Sequence, residues 1–285
     1  MNVSGKTKIC ALIGDPVEHT MSPVMHNAAF KKLGLDYVYI PFRVRAEELA
    51  RAVDGMRALN MRGFNVTIPH KVTIIPMLDS IDPIAEKIGA VNTVVNDDGE
   101  LTGYNTDATG FLQALLEQGV EPGGKKVVVL GAGGASRAIS YILAERDARL
   151  TVLNRQLEID WAVELARRIH EDLGKDVRVF ELCSENLAVA LEGAAILINA
   201  TSVGMSPNSE ESPVSAELIK PDLVVFDIVY NPIRTKLLRE AEAAGARTGS
   251  GVDMLAWQGA LAFEKWVGQP APLDLMREEA IKALE

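Results

Sequence analysis

Apolar residues along the first third of the chain come in short β-rich runs separated by longer runs of helical period. Lys8 to Ile13, Tyr37 to Phe42 and Phe64 to Thr67 read as strands, and Pro23 to Leu33 and Ala46 to Leu59 as the helices between them. Strand and helix in alternation predict a mostly parallel sheet with helices on its faces. Two further short strands, Asn92 to Asn96 and Leu101 to Tyr104, flank Asp97-Asp98-Gly99 and read as a hairpin.

A helical pattern carried by Phe111, Leu112, Leu115 and Leu116 runs from Thr109 to Gly119, and Glu121-Pro122-Gly123-Gly124 then punctuates the chain. Six candidate strands follow: Lys126 to Leu130, Leu150 to Leu153, Val177 to Phe180, Ala195 to Asn199, Leu223 to Ile228 and a short one near Arg247. With helical stretches between most of them, they match a doubly wound, Rossmann-type dinucleotide-binding domain. Two last helical regions, Met254 to Val267 and Asp274 to Leu284, are expected to return to the first domain. The predicted class is therefore α/β, with an N-terminal α/β domain, an inserted doubly wound domain and C-terminal helices that complete the first.

The length of 285 residues has room for two such domains, and 48% hydrophobic with 24% charged residues is the composition of a globular protein with a real core. With 29 Lys+Arg against 39 Asp+Glu the formal charge is −10, which argues against a nucleic acid or an anionic membrane as partner. Two cysteines, Cys10 and Cys183, read as free thiols of a reducing compartment. The polar start Met1 to Lys6 lacks the apolar stretch of a secretory signal, and no run approaches the roughly 20 apolar residues of a membrane span, so the cytoplasm is the expected location. No His/Cys/Asp cluster has metal-ligand spacing, so no metal is expected.

Chemistry enters at three turns. Val128-Val129-Leu130-Gly131-Ala132-Gly133-Gly134-Ala135-Ser136 sets glycines between a strand and a helix. There Gly131 permits a tight turn and Gly133 a close backbone approach to a pyrophosphate, with Gly134 and Ala135 leading into the helix N-terminus. Ser136 stands where the fingerprint has Gly or Ala, and a merely structural tight turn is the alternative. At the end of the next strand, Asn154-Arg155 replaces the acid of an NAD-preferring site. Asn154 can bond a ribose without repelling a phosphate, and Arg155 can pair with a 2′-phosphate, so NADP is favoured; a solvated arginine is the plain alternative. In His19-Thr20-Met21-Ser22-Pro23, Ser22 has the chemistry of an N-cap and Pro23 of the first helical position, which suits a small carboxylate or simply a well-formed helix start.

Further segments are Asn65-Val66-Thr67-Ile68-Pro69-His70-Lys71, Gly89-Ala90-Val91-Asn92-Thr93, Gly103-Tyr104-Asn105-Thr106-Asp107, Asn199-Ala200-Thr201-Ser202 and Trp257-Gln258-Gly259-Ala260. Together with the Thr20/Ser22 segment and the glycine turn, in this order from Ile13 to Gly268, the chain resembles the shikimate dehydrogenase family, including its quinate/shikimate branch. The resemblance implies an NADP-dependent enzyme, with NAD open, that reversibly reduces 3-dehydroshikimate to shikimate in aromatic biosynthesis. Quinate is the alternative substrate, and a non-catalytic ligand sensor is the distant alternative. It implies a substrate domain of residues 1–107 and 251–285 and a cofactor domain of residues 108–250. It makes Lys71 and Asp107 the catalytic pair, sets Thr20 and Ser22 on the carboxylate, and lines the pocket with Asn65, Thr67, Asn92, Tyr230 and Gln258. Thr201, Ser202, Gly251 and Met254 join the glycine turn and Asn154-Arg155 as cofactor-binding residues. Oligomeric state stays open between monomer and homodimer.

Two positions depart from the family's commonest pattern. Thr20 replaces a serine. Gln156-Leu157-Glu158-Ile159-Asp160 follows Arg155 where the family often has Thr and a second Arg, which removes a cation and adds two acids beside the 2′-phosphate position.

Overall fold

A computed structural model describes residues 3–285. The first part of the chain forms β1 (Lys8–Gly14), α1 (Ser22–Lys32), β2 (Tyr37–Arg43), α2 (Leu49–Ala58), β3 (Gly63–Val66), β4 (Ser80–Ile81), α3 (Pro83–Ile88), β5 (Thr93–Asp97) and β6 (Glu100–Tyr104). Then come α4 (Asp107–Glu117), β7 (Lys126–Leu130), α5 (Gly134–Glu145), β8 (Arg149–Asn154), α6 (Ile159–Leu173), β9 (Arg178–Glu181), α7 (Ser184–Leu191) and β10 (Ile196–Asn199). The chain closes with β11 (Val224–Asp227), α8 (Lys236–Ala243), β12 (Arg247–Ser250), α9 (Gly251–Val267) and α10 (Leu273–Leu284). Two compact units result, one running through Asp107 and including Ala256–Ala283, the other Ala108–Leu255.

The first unit holds a six-stranded sheet of order β2-β1-β3-β5-β6-β4. Its β1, β2 and β3 pair in parallel as the strand–helix alternation predicts, but β3–β5 and β5–β6 are antiparallel, so the sheet is mixed. The two-residue turn Asp98-Gly99 accounts for the β5–β6 pair: so short a connection can only reverse the chain. Apolar residues including Ile13, Val53, Phe64, Val94 and Leu101 pack as one core. Helix α9 is fastened to this sheet by Trp266, which is 1% exposed and donates its Nε1–H to the Val94 carbonyl at 2.9 Å. A Cβ on Gly63 would lie 2.3 Å from that indole nitrogen, so only glycine lets the helix approach this closely. Truncating so buried an aromatic costs roughly 3–5 kcal/mol, and Trp266 is accordingly the anchor of the returning helix.

The second unit has an all-parallel sheet of order β12-β11-β10-β7-β8-β9, with the reversal of strand order between β7 and β10. Strand β7 reads Lys126-Val127-Val128-Val129-Leu130 with its last four residues buried, the continuous apolar run of a strand covered on both faces. Helix α6 is amphipathic instead: Ala162, Leu165 and Ile169 face inward, while Glu164, Arg167, Arg168 and Glu171 pair with one another outside. Val128, Leu153, Leu197, Val225 and Leu237 belong to the core beneath.

Several predicted boundaries move by one to three residues, α9 for example starting at Gly251 and not Met254, and the start of α1 bears on the site. Ser22 is the first residue of α1 and not the residue before it; Met21 holds that place without a side-chain cap. The hydroxyl that reaches the helix start is that of Thr20, which accepts from the Ser22 N–H at 3.3 Å.

Candidate active site

In the first unit, the ends of parallel strands β1 and β3 lead into the segments that hold Thr20 and Ser22 on one side and Thr67 and Lys71 on the other. The antiparallel neighbours β5 and β6 place Asn92 just before one strand and Asp107 three residues beyond the other. Pairing of Asn65 with Thr93 across β3 and β5 brings these segments together.

Lys71 Nζ donates to Asp107 Oδ2 at 2.6 Å, with the side chains 15% and 5% exposed. Asn92 Nδ2 donates to the other carboxylate oxygen at 2.9 Å and to Thr106 Oγ1 at 2.9 Å. Asp107 opens α4, where the helix dipole favours a carboxylate, and its own N–H is taken by Asn105 Oδ1 at 3.0 Å. Behind the pair runs a directed string: Tyr39 Oη donates to Asn65 Oδ1 (2.8 Å), Asn65 Nδ2 to Thr93 Oγ1 (3.0 Å), Thr93 Oγ1 to Asn92 Oδ1 (2.9 Å), and Asn92 to Asp107. A lysine is thus held beside a carboxylate whose remaining oxygen is already satisfied. Such an ammonium can stabilise an oxyanion and hand it a proton.

Of the predicted site residues in this unit, Lys71, Asp107, Asn92 and Asn65 are joined by that string. Gln258 lies half-buried on α9, in the same unit. Tyr230 belongs to the second unit, in the loop after β11, with its hydroxyl pushed up by burial. The histidines nearby are structural. His70 Nε2 lies 2.7 Å from the Val44 carbonyl, and His26, stacked on Tyr39 at 4.4 Å, is pushed down to about 3 by complete burial and stays neutral. Tyr39, Thr93, Asn105 and Thr106 support the site without having been singled out; Thr93, Asn105 and Thr106 stand inside quoted motifs, while nothing in the sequence marks Tyr39.

In the second unit, Gly131 has φ +98°, and a Cβ there would lie 2.9 Å from the Ala200 carbonyl oxygen. Ser136, the departure from the fingerprint, is fully buried and donates to the Gly131 carbonyl at 2.6 Å, so its hydroxyl closes the turn that a small residue would otherwise leave. Gly133 precedes α5 with no side-chain cap and open space beside its Cα, so the first N–H groups of that helix are offered to an anion by Gly134, Ala135 and their neighbours. The turn fits the diphosphate of a dinucleotide. Asn154 ends β8, buried, with Arg155 exposed beyond it. Thr201 N–H and Oγ1 both donate to Asn199 Oδ1, at 3.1 and 2.6 Å, next to exposed Ser202. Gly251 and Met254 are buried in the first turn of α9.

Asn199 leads to a further buried group that lies outside the quoted motifs. Asp227, at the end of β11, accepts from Asn199 Nδ2 (2.9 Å), the Val229 N–H (3.0 Å) and Thr235 Oγ1 (2.6 Å). Burial nevertheless pushes it up to about 6, against those three hydrogen bonds. A lone acid after Val224-Val225-Phe226 was the available signal. Among the described residues no group of three or more His, Cys, Asp or Glu could hold a metal ion, and no helix is long and apolar enough to cross a membrane.

Comparison with known proteins gives the site a context. Residues 12–94 match the shikimate dehydrogenase substrate binding domain and residues 251–281 the shikimate 5′-dehydrogenase C-terminal domain. The chain is 49% identical over 287 residues to the shikimate dehydrogenase (NADP(+)) of Methanopyrus kandleri, covering 100% of this chain and 98% of that one. A crystal structure of shikimate dehydrogenase in complex with NADP+ superposes with a TM-score of 0.93 at 44% identity, over 100% of this chain and 98% of the other. The Listeria monocytogenes shikimate 5-dehydrogenase in complex with shikimate and NAD gives 0.90 at 42% identity, over 98% of each.

Proposed function

Because the chain belongs to the shikimate dehydrogenase family, we propose that it catalyses the reversible NADP-dependent reduction of 3-dehydroshikimate to shikimate, a step towards chorismate and the aromatic amino acids. The observation that carries the reading at the level of residues is the buried Lys71–Asp107 pair, braced by Asn92 and backed by the Asn65 string. The nicotinamide cofactor, when bound, supplies the hydride. As a ketone carbon gains that hydride its oxygen gains charge, and Lys71 Nζ holds the oxygen and gives it a proton; in the oxidative direction the same nitrogen takes the proton back. Asp107 orients the lysine, and since a carboxylate oxygen accepts more than one hydrogen bond, it can also accept from a substrate hydroxyl.

Thr20 and Ser22, at the start of α1, hold the carboxylate by hydroxyl and N–H groups, while Asn65, Thr67, Asn92, Tyr230 and Gln258 address the ring. Gly131, Gly133, Gly134 and Ala135 cradle the diphosphate, Asn154 and Arg155 hold the adenosine ribose, and Thr201, Ser202, Gly251 and Met254 complete the cofactor contacts. Both ligands are anions bound by a chain of net charge −10, so neutral donors and helix N-termini carry much of the work. The enzyme works in the cytoplasm, as a monomer or homodimer.

Initial rates with shikimate and quinate, each with NADP and NAD, test the assignment. The highest kcat/KM is expected for shikimate with NADP, and no turnover of shikimate with either cofactor would end the proposal. Lys71→Ala is expected to lower kcat by about 10²–10⁴-fold with substrate affinity changed much less.

A further inference from the structure

The end of β8 is not simply a strand end with an arginine beyond it. Arg155 is followed by a single 3₁₀ turn, Gln156–Glu158, closed by the Glu158 N–H on the Arg155 carbonyl at 2.9 Å. In such a turn residues three apart eclipse, which stacks the Glu158 side chain over that of Arg155. Glu158 Oε2 receives Arg155 Nη2 at 2.7 Å and Nε at 3.1 Å. The Glu158 carbonyl also receives Asn154 Nδ2, at 2.6 Å. A carbonyl only accepts, so this bond fixes which end of the Asn154 amide is nitrogen and leaves Oδ1 and the second N–H of Nδ2 as its remaining polar groups.

Resting on the reading that Asn154 and Arg155 hold the adenosine ribose, we propose that Glu158 is the residue that sets this enzyme's discrimination between NADP and NAD. With one amide N–H on the Glu158 carbonyl, Asn154 is held in place and presents Oδ1 and its second N–H, which suit a ribose hydroxyl. With the Nε/Nη2 edge of its guanidinium on a carboxylate, Arg155 meets a 2′-phosphate either through its Nη1 edge or by leaving Glu158, and in both cases the Glu158 charge stands beside the arriving dianion. The pair uses one oxygen of the carboxylate, whereas a phosphate offers oxygens to both arms of the fork, so the phosphate can still win the arginine. The effect of Glu158 is therefore to narrow the preference for NADP and not to abolish binding. Neighbouring residues do not offset it: Gln156 and Leu157 carry no charge, and Leu157 is 99% exposed.

Titration calorimetry of the full chain with NADP and with NAD, at about 0.1 M ionic strength so that surface charges are felt, separates the outcomes. Glu158→Gln keeps the size and the backbone carbonyl and removes the charge. NADP is expected to bind about three- to tenfold tighter, the range set by one exposed ion pair and one like-charge contact, with NAD changed less than about twofold. Unchanged affinities, or equal shifts for both nucleotides, would overturn the proposal. Arg155→Ala tests the premise by itself and is expected to weaken NADP selectively. If it leaves both nucleotides unaffected, the placement of the ribose fails and the proposal falls with it. If it weakens NADP while Glu158→Gln changes nothing, the placement stands and the role of Glu158 alone is refuted.

Discussion

Two ion pairs of nearly equal length do opposite work in this protein. Lys71–Asp107 in the first unit is 2.6 Å long and Arg155–Glu158 in the second is 2.7 Å long, yet the side chains are 15% and 5% exposed in one and 72% and 27% in the other. The buried pair joins residues 36 apart in the chain and is braced by Asn92, so the tertiary fold bears the cost of ordering it. The exposed pair joins residues three apart on one turn and forms locally. Distance alone therefore says little about what a contact is worth. A buried pair is costly to break because its survivor is left desolvated, while an exposed one sits near zero net and is free to exchange partners. The first arrangement suits a proton donor that must not wander, the second a cation that a ligand recruits.

The strongest attempt to break this contrast is Asp107→Ala. It leaves the ammonium of Lys71 mostly buried without its carboxylate and removes one of the two acceptors of Asn92 Nδ2. Loss of folding stability of about 3–5 kcal/mol is expected, together with a fall in kcat of about 10²-fold or more. Urea unfolding and initial rates on the same preparation measure both. A stability loss no larger than that of Glu158→Ala would mean that burial is not what separates the two pairs.

Asp227 sharpens the contrast because it is buried like Asp107 but has hydroxyl, amide and N–H partners and no cation. Burial wins, and its folded value rises from the ordinary 3.8 to about 6. The folded state then binds the proton more tightly than the unfolded chain does. This contribution to stability is greatest below about pH 4, and it is lost as pH rises to about 6; the cost at neutral pH is about 3 kcal/mol, from a difference of about 2 in pKa. Asp227→Asn keeps an acceptor for Asn199 and Val229, and its amide can donate to the Thr235 hydroxyl, so the fold should survive while this pH dependence disappears. Denaturant titrations from pH 4 to pH 7 compare the two slopes, and parallel curves for variant and parent would refute the account.

These cases also show which parts of the site the sequence carries. The dinucleotide turn was legible because strand, glycines and helix are contiguous, and even its irregular Ser136 proves to be a local device. The Asn154–Arg155 strand end was legible too, but the engagement of both side chains by Glu158 depends on a three-residue turn with no period to detect. Lys71 and Asp107 could be joined only through the family resemblance, since no local rule pairs residues from segments that a mixed sheet brings together. Strand β4 has two residues and α3 six, too short for any pattern to register, so that part of the sheet went unread. The start of α1 was misplaced by one residue because Met21, without a capping side chain, holds the position a polar residue usually takes.

The smallest expected effect lies at the exposed pair and concerns stability in the absence of nucleotide. A double-mutant cycle of Arg155→Ala and Glu158→Ala should give a coupling of about 0.2–1 kcal/mol at low salt, as for other exposed ion pairs. At 1 M salt the screening length shrinks to about 3 Å, and the coupling should fall towards zero. The Asn154 bond runs to the Glu158 carbonyl and not to its side chain, so it persists in both variants and does not contaminate the cycle. A coupling above about 2 kcal/mol that survives salt would place Arg155–Glu158 in the same class as Lys71–Asp107. Arg155 could not then be released to a phosphate at little cost, and the division of labour between the two pairs would not hold.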